Sequence, residues 1–160
     1  MKSIIKLRTL AFFAPFVVVA FCPTPSRAVE VSLQDCPQAV QDTINANRKG
    51  GRIDEIDFLA ASGIYDVDIN LGRGRDLDLV INASGRLLRS VEDIGLARAP
   101  RAVKNSIRRL MQGGGRIDDL DLETAGGRVT YRVDIDFPSG PDLEATISEK
   151  GLVLKRNRRD

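Results

Sequence analysis

The sequence predicts an α+β fold of two repeats, each a short helix packed on a four-stranded antiparallel meander, the two pooled edge to edge into one extended curved sheet. Three observations carry it. The phrase GGRIDEIDF at 50 to 58 returns as GGRIDDLDL at 114 to 122. Segments such as IYDVDINL (64 to 71) and VTYRVDIDF (129 to 137) alternate apolar and polar residues strictly, the period of a half-buried strand. Short stretches with apolar residues at helical spacing end in glycine clusters, the pattern of amphipathic helices followed by left-handed turns.

The repeat extends beyond the quoted phrase. Pro37, Ala39, Val40 and Ile44 match Pro100, Ala102, Val103 and Ile107. Tyr65, Ile81 and Gly85 match Tyr131, Ile147 and Gly151 at a slightly larger spacing, the difference falling at Ala125-Gly126-Gly127. Insertions absorbed in glycine turns are how duplicated units diverge. A unit of about 60 residues buries only ~60% of its unfolded surface. Two units sharing a sheet edge relieve that shortage.

Each unit opens with a helix. Pro37 and Pro100 suit the first helical position, where a missing N–H costs nothing. Val40 and Ile44 in one helix, and Val103, Ile107, Leu110 and Met111 in the other, lie on one face, and Gly50-Gly51 and Gly113-Gly114-Gly115 end them. Next comes the duplicated phrase itself. Ile53, Ile56 and Phe58 are spaced three then two, as are Ile117, Leu120 and Leu122. Period two is kept only if one residue bulges near Asp54-Glu55 and Asp118-Asp119. The alternating strands follow, then DLDLVINA (76 to 83) and DLEATIS (142 to 148), which run into hairpin loops at Ala83-Ser84-Gly85 and Glu149-Lys150-Gly151. The last strands begin at Arg86 and Leu152.

The amino terminus has the layout of a secretory signal peptide. Lys2, Lys6 and Arg8 precede an apolar run from Leu10 to Phe21, and a small-residue cleavage site ends at Ala28. The run is interrupted by Pro15 and falls short of the ~20 residues needed to span a membrane. Acylation of Cys22 is the weaker alternative, because Phe21 stands where a small residue is required. The division is therefore residues 1–28 as signal peptide, 29–35 as linker, 36–96 as the first repeat and 97–160 as the second with a basic tail. The expected location is the periplasm or the exterior, with no integral membrane segment once the signal is cleaved.

Cleavage removes Lys2, Lys6, Arg8 and Arg27 from 24 basic residues and none of the 22 acidic ones, turning a net charge of +2 into −2. Such a chain lacks the dense basic face that nucleic acid rewards. There is no histidine, which removes the commonest general base and the imidazole-dependent triads. No assembled nucleophile and base is legible, so neither an enzyme nor a cofactor is expected. Cys36 at a helix start has Ala99 as its counterpart and reads as a small packing residue rather than a nucleophile.

The candidate binding residues are Asp66, Asp68, Asp76, Asp78, Arg132, Asp134 and Asp136, all alternating with core positions and so sharing the polar sheet face. Carboxylates opposite one another repel unless a cation or a basic partner intervenes. The functional readings are a basic protein surface or, alternatively, a small ligand or divalent cation. The structural alternative is a solvated face balanced by Arg132, Arg89 and Arg86. The tail KRNRRD reads as a solvated, frayed terminus.

The order Pro-x-Ala-Val-x-x-x-Ile, a Gly-Gly turn, Ile-x-x-[Ile/Leu]-x-[Phe/Leu], Tyr-x-Val-x-Ile and a strand ending at a glycine turn resembles the PepSY family and its β-lactamase-inhibitor-like relatives, over residues 36 to 90 and 99 to 155. The resemblance implies a small envelope domain of helix and curved antiparallel sheet that restrains a peptidase or other envelope enzyme by gripping it with an open sheet. It brings no catalytic residues, and the absence of an attached peptidase domain departs from the propeptide members.

Overall fold

The computed structural model describes residues 28–159. The expected signal peptide, Ala28 excepted, and Cys22 lie outside the described residues. Nine strands follow one another in space as they do in sequence: β1 (Ala28–Glu30), β2 (Arg52–Leu59), β3 (Ile64–Asn70), β4 (Asp76–Asn82), β5 (Leu87–Asp93), β6 (Arg116–Ala125), β7 (Arg128–Asp136), β8 (Asp142–Ser148) and β9 (Val153–Arg159). Every neighbouring pair is antiparallel. Helix α1 (Gln38–Asn47) lies between β1 and β2 in the chain, and α2 (Arg101–Leu110) between β5 and β6.

This corrects the expected architecture. The chain is one nine-stranded meander with two short helices, not two repeats of a helix and a four-stranded meander. β5 and β6 pair from Arg89↔Ala125 to Asp93↔Asp121, so the ladder runs unbroken through the middle. The physical reason is that an unpaired strand edge exposes a row of main-chain donors and acceptors, and joining β5 to β6 satisfies two such rows at once. The extra strand, β1, is formed by Ala28, the last residue of the expected signal peptide, and by the first two residues of the stretch 29–35 that read as a linker. It pairs Val29 with Phe58 and Glu30 with Asp57, and a 3-10 turn at Leu33–Asp35 follows it. The tail expected to fray is strand through Arg159, paired along β8.

The period-two alternation sends one set of side chains under the helices. Ile56, Val67, Ile69, Leu77, Leu79 and Ile81 pack with Val40 and Ile44 of α1. Leu120, Val133, Ile135, Leu143, Ala145 and Ile147 pack with Val103 and Ile107 of α2. Each such aliphatic side chain contributes ~1.5–3 kcal/mol when fully buried. The expected bulges are present, as register shifts between Ile53 and Glu55 and between Ile117 and Asp119. Pro37 and Pro100 stand one residue earlier than expected, as the extended residues that precede each helix.

Two further contacts fix the helices. Each rests on a hairpin turn: Thr43 Oγ1 donates to the Gly85 carbonyl at 2.6 Å, and Ser106 Oγ to that of Gly151 at 2.6 Å. Gly85 and Gly151 both have φ 82°. A Cβ would lie 2.5 Å from the Ala39 carbonyl oxygen at Gly85 and 2.7 Å from that of Ala102 at Gly151. On the same face, Glu92 is 3% exposed and opposite Leu77 and Leu122. It accepts from Lys49, just past α1, at 2.5 Å and from Arg98, just before α2, at 2.5 Å.

Gly151→Ala adds a left-handed penalty of about 1 kcal/mol to a helix displacement, so its melting temperature falls by more than that of Gly140→Ala. Gly140 is also left-handed, at φ 92°, with nothing near its absent Cβ. Paired thermal melts by circular dichroism check this.

Candidate functional site

The face away from the helices is open. It is built by the residues that alternate with the core, and its rows follow from the register. Glu55, Asp68 and Asp78 lie side by side across β2, β3 and β4, and Asp57 and Asp66 form the next row. Asp76 stands opposite Asn70. Directly opposed residues on adjacent strands have Cβ atoms about 4.5–5.5 Å apart, so these carboxylates repel strongly. Asp54, Glu55, Asp68, Asp76 and Asp78 line a shallow depression of about 380 Å³, with Asp57 and Asp66 in the row beside it. Asp76 and Asp78 also border a second one, of about 230 Å³, with Asp93, Asp119, Asp121 and Arg132. The two merge into an acidic trough from β2 to β7.

Neutralisation is uneven along the sheet. On β5 to β9 most carboxylates of this face have basic partners, Asp93 and Asp119 being exceptions among the described residues. Arg132 contacts Asp121 at 2.5 Å, Arg89 contacts Glu123 at 2.6 Å, Arg116 contacts Asp136 at 2.7 Å, and Arg159 reaches both Asp134 and Glu144. On β2 to β4 only Arg52 and Asp54 pair, at 2.9 Å. Glu55, Asp57, Asp66, Asp68, Asp76 and Asp78 have no ion pair among the described residues. The balance expected from Arg132 and Arg89 therefore serves the far half of the face, and Arg86 makes no ion pair among the described residues.

Titration follows this layout. Burial, then the charges of Asp66 and Asp57, pushes the Asp68 carboxyl up. Burial, then Asp68 and Asp66, does the same to Asp78, and burial with Asp119 and Asp121 raises Asp93. Burial also raises Asp121, against the opposing hydrogen bond from Arg132. Glu92 on the helix face behaves oppositely: burial would raise it, but the hydrogen bonds from Arg98 and Lys49 outweigh burial and hold it below the ordinary range.

Of the expected site residues, the trough brings together Asp68, Asp76, Asp78 and Arg132, with Asp66 in the adjoining row. Asp134 and Asp136 lie apart, in a depression with Asp118, Glu144 and Arg159. Sequence reasoning missed Glu55, Asp93, Asp119 and Asp121. Asp93 carried a signal in its alternation with Val91, whereas the bulge at Ile117 obscured the facing of Asp119 and Asp121. Among the described residues no three histidine, cysteine, aspartate or glutamate side chains form a group able to hold a metal ion, since the carboxylates are spread over separate strands. Cys36 is buried, its Sγ 3.5 Å from the Ser32 carbonyl, and burial together with Asp35 raises its thiol pKa. No helix among the described residues is long and apolar enough to cross a membrane.

An open antiparallel sheet roofed on one side is also the fold of known structures. No protein-family model and no curated protein matches the sequence. Three solved structures are similar in shape. A DUF2874 family protein from Bacteroides ovatus has a TM-score of 0.60 and 14% identity, over 77% of this chain and 87% of its own. A candidate periplasmic protein from Bacteroides eggerthii has a TM-score of 0.59 and 16% identity, over 77% and 88%. A BLIP-like protein from Bacteroides fragilis has a TM-score of 0.58 and 17% identity, over 77% and 86%. The chain thus has a BLIP-like fold.

The raised pKa values of Asp68 and Asp78 have a definite sign. A carboxyl whose folded pKa exceeds its unfolded value contributes stability below the unfolded pKa, about 4, and loses it as pH rises through the folded value. Asp68→Asn with Asp78→Asn removes that loss, so the double variant melts higher than wild type at pH 7 and the two converge near pH 4. Glu92→Gln behaves in reverse. Its lowered pKa supplies stability at neutral pH that disappears as pH falls through the folded value, so the variant is weaker by about 1.5–3 kcal/mol at pH 7 and closer to wild type in acid. Denaturant titrations across this pH range read both.

Proposed function

We propose that this chain is an exported, PepSY-like binding module whose acidic trough receives a basic surface of a protein partner, and that the partner is an envelope hydrolase, a peptidase foremost, which it restrains. In this reading residues 1–28 direct export to the periplasm, and residues 36–96 and 97–160 are the two PepSY-like halves of the single sheet. The observation that carries it is the unpaired acidity of β2 to β4. Asp66, Asp68, Asp76 and Asp78 sit on an uncovered face with no internal cation, at a cost to stability that a cationic partner would remove. Ion pairs with Arg159 and Arg116 leave Asp134 and Asp136 as rim residues. The likeness to a BLIP-like structure and to a candidate periplasmic one supports an envelope binding role. Electrostatic docking of this kind steers association and weakens with salt.

The test is reciprocal capture from envelope extract, followed by binding of the purified partner. The expected result is a basic partner whose affinity falls at least tenfold with Asp66, Asp68, Asp76 and Asp78 changed to Asn, and falls again between about 50 and 300 mM salt. Asp134→Asn with Asp136→Asn should leave affinity within about twofold, as rim charges contribute little. A partner that binds the quadruple variant as tightly as wild type removes the proposal.

A further inference from the structure

We propose a second binding site, on the helix side of the sheet, that takes an apolar-tailed carboxylate between the end of α2 and β9. Leu110, Phe137 and Leu143 form the apolar wall of a cavity of about 320 Å³, and Gln112, Arg156 and Arg158 stand at its polar side. That volume lies at the lower end of the range for small-molecule sites. Arg156 and Arg158 are opposite Ala145 and Leu143 in the ladder, so both project on the helix side, and neither has an ion pair among the described residues.

The same place in the other half of the sheet shows what the cavity lacks. There Leu77 and Leu79 of β4 face Glu92 and Ser90 of β5, as Leu143 and Ala145 of β8 face Arg158 and Arg156 of β9. Lys49 follows α1 by two residues, as Gln112 follows α2. In the first arrangement a carboxylate belonging to the chain is buried beneath two cations, Lys49 and Arg98. In the second the strand supplies two guanidinium groups and the helix end a neutral amide, with no acid among the described residues that line the cavity. A carboxylate entering from solution completes the set, with guanidinium groups as its donors and Gln112 as a further one. The last carbonyls of α2 repel an anion, but two charge-assisted contacts outweigh that repulsion. The apolar wall requires the ligand to bring hydrocarbon as well as charge. A free fatty acid and the carboxyl terminus of a peptide ending in an aliphatic residue both have this chemistry.

Titration calorimetry with decanoate, and separately with an N-acetylated dipeptide ending in leucine, tests the site on the folded chain. The expected result is saturable binding of at least one probe, weakened at least tenfold in Arg156→Gln with Arg158→Gln and absent for decanol or the dipeptide amide. Decanoate alone points to acyl chains, and the dipeptide alone to peptide ends. Both arginines are exposed, so the variant should keep its circular dichroism spectrum. NMR shifts from bound probe should fall on Leu110 and Phe137, and the Asp66, Asp68, Asp76 and Asp78 variant should bind unchanged, separating this site from the acidic trough. No saturable binding of either probe, equal binding by the arginine variant, or equal binding of the uncharged analogues overturns the proposal.

Discussion

Strict alternation of side chains across nine paired strands is the constraint from which the rest follows. A sheet with period two has two faces, and the described residues provide two α-helices of ten residues each, both on the same side. That side takes the aliphatic residues, since every core side chain of β2 to β4 and β6 to β8 needs a roof. The other side has no cover and is filled with charge, which keeps a broad flat surface soluble and discourages sheet-on-sheet association. Continuity through β5 and β6 makes the two faces uniform across the molecule, so that one charged surface extends from β2 to β9.

Ionic contacts of different kinds flank the seam of β5 and β6 on its two faces. On the roofed side the Glu92 carboxylate is almost fully buried, while Lys49 and Arg98 are about half exposed. The acid therefore carries most of the desolvation cost, and the two bases clamp the end of α1 to the start of α2 through it. On the open side, Arg132 meets Asp121, itself buried to 6% exposure, and Arg89 reaches Glu123. A buried ion pair is weak support for stability but a strong determinant of geometry when losing one member strands the other. Of these pairs only Arg89 with Glu123 crosses from β5 to β6, whereas Arg132 with Asp121 joins β7 to β6 and Glu92 ties the helix ends to β5, so aliphatic packing and the ladder carry the stability of the seam.

Much of this was legible in the residues. The alternation of β3, β4, β7 and β8 placed their bounds within a residue or so, and the three-then-two spacing of Ile53, Ile56 and Phe58 located a bulge. The unit of architecture was misread because a sequence repeat states similarity and not separation. Whether β5 and β6 pair depends on edges that meet only in the folded chain. β1 escaped notice because three residues show no period, and its backbone is stabilised by β2. Glu92 was invisible for a related reason. In LLRSVED the apolar residues do not alternate, and the register shift between Val80 and Ile81 changes the facing of β5. Nothing local marks a glutamate for burial. The carboxylates of the trough were legible as a face, but their lack of partners was not, since pairing depends on which arginine lies across the ladder.

That difference in pairing bears on why the trough is acidic at all. Asp57 lies opposite Asp66, whereas Asp121 lies opposite Arg132, in ladders otherwise alike, each entering through the same bulge from the same helix-ending glycines. An arginine is therefore accommodated at this position of the sheet, where it forms a close ion pair and offsets its neighbours. Folding alone would favour the same choice at Asp66, because opposed carboxylates destabilise and an opposite-charge pair contributes a few tenths to about 1 kcal/mol. The acidity of β2 to β4 is thus a cost that the architecture does not require. Solubility does not require it either, since the paired half of the face is equally polar. In the proposed function, that cost is offset by a positively charged surface outside the chain.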